Sequence, residues 1–79
     1  MATDRDAPQL EELVNYTDRD GSNLPARVQG VHPSPNGYRL DLQILGGKPR
    51  FEASVPGDDN KAPGTWRFPS PGRRASPKA

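Results

Sequence analysis

Tyr38-Arg39-Leu40-Asp41-Leu42-Gln43-Ile44-Leu45 is the stretch whose strict alternation of apolar and polar side chains decides the fold class of this 79-residue chain. Tyr38, Leu40, Leu42 and Ile44 fall on one side of an extended backbone, and Arg39, Asp41 and Gln43 on the other. A period of two is the pattern of a half-buried antiparallel strand. Turn chemistry brackets it, with Pro35-Asn36-Gly37 before and Gly46-Gly47-Lys48-Pro49 after.

Working outward, four further segments read as neighbours of this strand. Leu24-Pro25-Ala26-Arg27-Val28-Gln29-Gly30-Val31 is a strand with Ala26 and Val28 inward and Leu24 in phase with them. Pro25 cannot donate to a ladder, which puts it at a strand entrance or on an edge, and Gly30 breaks the alternation and predicts a bulge. Arg50 to Val55 alternates again, which predicts Phe51, Ala53 and Val55 inward and Arg50, Glu52 and Ser54 outward. Thr65-Trp66-Arg67-Phe68 forms a short last strand between Pro63-Gly64 and Pro69. Near the N-terminus, Leu10, Leu13 and Val14 have helical spacing, and Asp6-Ala7-Pro8 resembles a helix start. A strand over Leu13 to Thr17 is favoured, because Asp18-Arg19-Asp20-Gly21 follows as a hairpin turn. The expected fold is all-β: a twisted meander or a small SH3-like or OB-like barrel of four or five short strands. It spans residues 13–69, with an arm over residues 1–12 and a basic, Pro-rich tail over residues 70–79 that orders only when bound.

Composition narrows the function. Hydrophobic residues are 30% of the chain, against ten prolines and eight glycines, so the core is small. No cysteine is present for a disulfide, and one histidine supplies no zinc set. Help from oligomerisation or from docking on a larger surface is therefore expected. No apolar run is long enough to span a bilayer, and Met1-Ala2-Thr3-Asp4-Arg5-Asp6 lacks the features of a signal peptide, which predicts synthesis in the cytoplasm and no membrane partner. Residues 1–23 carry six acids against two arginines, a net −4, while residues 24–79 carry nine Lys/Arg against four acids, a net +5. Such ends can pair head-to-tail between copies, seek charged partners, or stay solvated.

Candidate sites for chemistry fail on spacing. Counted from Asp18, the sixth and twelfth positions of an EF-hand would be Asn23 and Gln29 instead of glycine and glutamate. His32 has no cysteine or second histidine to work with, the pairs Asp58-Asp59 and Glu11-Glu12 diverge on extended chain, and Gly46-Gly47 lacks the rest of a phosphate loop. No catalytic residue, cofactor or metal is expected. Trp66 and Phe68 share a strand face, either closing the core or, with Tyr16, Tyr38 and Phe51, forming a stacking platform for single-stranded nucleic acid. Arg27, Arg39, Arg50 and Arg67, one per strand, would supply its basic stripe.

Four pieces of the chain carry a resemblance: Leu24-Pro25-Ala26-Arg27-Val28, Leu40-Asp41-Leu42-Gln43-Ile44, Ala53-Ser54-Val55-Pro56 and Pro63-Gly64-Thr65-Trp66-Arg67-Phe68-Pro69. Together they make residues 13–69 similar to a group of small β-rich proteins encoded by tailed bacteriophages. That resemblance implies a non-enzymatic virion protein, of the capsid cement or decoration kind, whose partner is the major capsid protein or another virion protein. The implied state is a homo-oligomer, with a trimer or another closed cyclic order equally compatible. The contact residues expected on this view are Trp66, Arg67, Arg73, Arg74 and Lys78. A phage regulator that binds nucleic acid or a host protein is the alternative.

Overall fold

The computed structural model describes residues 7–35, 37–69 and 75. The expected contacts Arg73, Arg74 and Lys78 lie outside the described residues, as does the start of the N-terminal arm. The described residues form five strands: β1 (Leu13–Thr17), β2 (Asn23–Ser34), β3 (Gly37–Ile44), β4 (Arg50–Val55) and β5 (Thr65–Arg67). They form one open antiparallel sheet in the order β4-β3-β2-β1-β5. The first four make a meander, and β5 returns to the far side of β1.

Twist rolls this sheet until its ends approach. The Trp66 indole N–H on β5 donates to the Tyr38 carbonyl on β3 at 3.0 Å. Beyond β4, Gly57 forms an isolated parallel bridge with Trp66: the Trp66 N–H donates to Pro56 O and the Asp58 N–H to Trp66 O, both at 3.0 Å. The two edges therefore meet at one bridge and not along a continuous ladder. Inside the roll, Val14, Tyr16, Ala26, Val28, Leu40, Leu42, Ile44, Val55, Trp66 and Phe68 are buried. Trp66 and Phe68 pack edge-to-face with centroids 4.9 Å apart, a geometry suited to the quadrupoles of both rings.

Bulges reset the phase of β2 and β4 against β3. The β2–β3 register shifts between Val28 and Gly30, where the glycine predicted it. A second shift separates the pairs Leu40–Val55 and Leu42–Glu52, so β4 spends three residues where β3 spends two. Ser54 lies in this bulge with φ of 55°. The consequence overturns the expected phase of β4. Val55 points inward opposite Leu40, but Arg50 and Glu52 share the inner face with Ile44 and Leu42, and Phe51 is 59% exposed. One inserted residue turns every side chain before it to the other face.

Pro25 is also placed differently from expectation, since it is the third residue of an internal strand opposite Asn15. Its carbonyl accepts from the Leu45 N–H at 2.8 Å, so its missing N–H faces the same side, just past the last β3 pair at Ile44. No ladder donor is needed there.

Described residues near each end of the chain pack on the sheet. Val28 donates to Glu12 O at 2.9 Å and accepts from the Glu11 N–H at 2.8 Å, with Glu11 at φ 70°, so two residues oppose one in a further bulge. Pro8 is buried. The segment just before β1, read from sequence as part of an arm, is thus bonded to β2. At the other end, Ala75 is buried and its N–H donates to Asp59 Oδ1 at 2.9 Å. A tail expected to bury nothing places this small side chain against Gly57, beside Trp66.

Candidate protein-binding surface

Cross-strand partners lie on the same side of a sheet, so the register maps the outer face directly. Leu13, Arg27, Gln43 and Phe51 are successive partners across β1, β2, β3 and β4. With strands about 4.8 Å apart, this row is roughly 14 Å long. Its ends are apolar and exposed, Leu13 at 52% and Phe51 at 59%, and Leu10 lies exposed just before β1. Beside Phe51, the residues Gln29, Gln43, Pro49 and Arg50 line a shallow hollow of about 380 Å³. Glutamine amides between apolar ends give hydrogen-bonding groups without the desolvation cost of charge.

The arginines do not form a free basic stripe. Arg27 approaches Glu11 at 3.7 Å, Arg39 donates to Ser54 O at 3.0 Å and Arg67 donates to Asn23 Oδ1 at 3.1 Å. Arg50 is inward, bonded to Glu52 at 2.7 Å and to Asp18 at 3.0 Å, with its guanidinium 5.7 Å from the centre of the Tyr16 ring. The Glu52 bond is the main cause that raises the Arg50 pKa above its ordinary value. Of the residues expected at a partner contact, Arg67 is half-buried and Trp66 is wholly buried. Trp66 serves the core in this fold, and Tyr16 and Phe68 are buried with it. The aromatic side chain that the sheet presents outward is Phe51.

A polar cluster that sequence spacing did not reveal stands between the β2 and β4 bulges that flank β3. Asp41 Oδ2 lies 2.9 Å from His32 Nε2, and Asp41 Oδ1 accepts from the Ser54 backbone N–H at 2.9 Å. One carboxylate thus ties β2 and β4 to β3 across both register shifts. The His32 bond, followed by the Ser54 N–H, holds the Asp41 carboxyl below its ordinary pKa. Gly30 opposite leaves the room: a Cβ there would stand 2.5 Å from Asp41 Oδ2. A serine, a histidine and an aspartate meet here, but the carboxylate sits between the other two. Ser54 is engaged through its backbone, so the arrangement is not a nucleophile–base relay. The available signal was Gly30 two positions before His32, which marked a bulge facing the sole acid of β3.

In the Asp18–Asn23 turn both carboxylates accept from the turn's own backbone, and Asp18 also holds Arg50. Asp18 Oδ1 accepts from the Arg19 N–H, and Asp20 Oδ1 from the Ser22 N–H, which also lowers the Asp20 pKa. Gly21 N–H closes on Asp18 O at 2.9 Å. It is a hairpin turn joining β1 to β2.

In comparisons with known proteins, the chain matches no family model, no curated protein and no solved structure.

Proposed function

We propose that this chain is a non-enzymatic structural protein of a phage virion, of the cement or decoration kind, that attaches to the assembled shell through the outer face of its sheet. The observation that carries this proposal is the exposed row Leu13–Arg27–Gln43–Phe51. In a chain with few apolar side chains, leaving a phenylalanine and a leucine on one solvent face forgoes core stabilisation that a small domain needs. A partner surface that covers them recovers it. The resemblance of residues 13–69 to small tailed-phage proteins supports the virion setting, and the repeating shell makes a modest interface per copy sufficient.

The partner is the major capsid protein or another protein exposed on the shell. The test is co-sedimentation of the purified chain with assembled capsids, with a Leu13→Ser, Phe51→Ser double variant beside it. Saturable binding at a defined copy number, reduced at least about tenfold in the double variant, is the expected result. A salt-sensitive mobility shift on nucleic acid, with no capsid binding, would replace this proposal by that of a nucleic-acid-binding regulator.

A further inference from the structure

β4 is the outermost strand of the meander and, among the described residues, pairs only with β3. The Leu45 N–H to Pro25 O bond sets the direction of the backbone groups along β3. Counting back from Leu45, alternation points Gln43 at β2 and Ile44 and Leu42 at β4. Arg50 and Glu52, their partners, therefore bond to β3, while the N–H and C=O of Phe51 turn outward to the open edge. An unpaired edge with an exposed aromatic is a template for another strand.

The charges on this edge select the occupant. Arg50 and Glu52 flank Phe51 symmetrically, one residue to either side. A second copy laid antiparallel, with its two-fold axis at Phe51, puts Arg50 of each chain directly opposite Glu52 of the other. Arg50 and Glu52 are already bonded along the strand at 2.7 Å, and both side chains are about one-third exposed at the rim of the core. The two-fold operation completes an alternating square of four charges. In the same register Phe51 meets its symmetry mate as a hydrogen-bonded pair. The Ala53 N–H faces the Pro49 carbonyl of the other copy, a position where the missing proline N–H costs one bond only.

We propose that the chain forms a two-fold dimer through β4, centred on Phe51 and joining two five-stranded sheets into one continuous sheet. The dimer places two Phe51 rings side by side at the middle of a doubled outer face. It is independent of what that face binds, because it rests on the free edge and the charge register.

The experiment is sedimentation equilibrium over a concentration series, with amide hydrogen exchange on the same samples. The wild-type chain is expected to dimerise, and the Phe51 and Ala53 amides to gain protection with concentration. Phe51→Glu, at a site exposed in the monomer, and Glu52→Arg each weaken self-association at least about tenfold, because like charges replace favourable cross-strand contacts. The decisive mixture combines Arg50→Glu chains with Glu52→Arg chains. The first presents carboxylates at both positions and the second guanidinium groups at both, so the two species pair with each other and not with themselves. Circular dichroism of each variant confirms that it is folded, and Phe51→Glu carries the test alone if either charge variant is not. A monomeric wild type at millimolar concentration, a trimer, or a dimer indifferent to Phe51→Glu would overturn the proposal.

Discussion

Leu42→Ala and Phe51→Ala together test the placement of β4 more sharply than either alone. By alternation both side chains belong inside, and phenylalanine is the larger. In the structure Leu42 is wholly buried between Val28 and Glu52 in the pairing of β2, β3 and β4, while Phe51 is 59% exposed. Truncating Leu42 removes three carbons, about 2.4 kcal/mol at roughly 0.8 kcal/mol per buried methylene. Its neighbours are hydrogen-bonded strands that cannot collapse into the gap, so a cavity contribution brings the total to about 3–4 kcal/mol. Phe51→Ala should cost about 0.5–1 kcal/mol, in keeping with a mostly solvated site. Equilibrium denaturation in urea reads both, with the buried Trp66, the chain's one tryptophan, as the fluorescent probe. Protein is kept dilute enough that self-association does not contribute. For a domain of this size each kcal/mol is worth about 4–8 °C in Tm, so thermal melts give a second measure. Equal losses for the two variants would refute the bulge at Ser54 and restore the simple alternation.

Other positions give independent checks. A Cβ at Gly57 would stand 2.9 Å from Ala75 O and 3.0 Å from both Ala75 Cβ and Trp66 Cε2. Gly57→Ala should therefore cost about 1–3 kcal/mol by overpacking, and removing residues 70–79 should relieve part of that loss in the same urea titration. Lys61 is exposed with φ of 64°, so Lys61→Gly should gain about 0.5–1 kcal/mol by relieving a left-handed conformation. Stability should also fall in acid. The folded-state pKa of Asp41 is lowered from 3.8, so its contribution is full above that value and is lost as pH falls through the lower folded pKa. Asp41→Asn should flatten this acid limb in pH-dependent melts without abolishing it, since Asp20 is shifted in the same direction.

Much of the fold was legible one strand at a time. The runs beginning at Leu13, Leu24, Tyr38, Arg50 and Thr65 each carry their own β signature, and the Gly/Pro and Asp/Gly clusters between them leave few other connections. Gly30 announced its bulge, and Leu40, Leu42, Ile44, Val28, Val55 and Trp66 are buried as their positions implied. The outer face was less legible. Phe51 lies there because of a bulge at Ala53-Ser54 that carries neither glycine nor proline.

Alternation tells which residues share a face only up to the next bulge: Phe51 and Val55 alternate in sequence but lie on opposite faces. Which face turns inward is a property of the pairing, because a single inserted residue reverses it at no cost visible in the local pattern. The same holds for Asp41. Its position in β3 was plain from sequence, but its bonds to His32 and Ser54 join residues nine and thirteen positions apart, and only the register of three strands brings them together. Local chemistry determined the strands and turns of this protein; the long-range ladder decided what its surface presents.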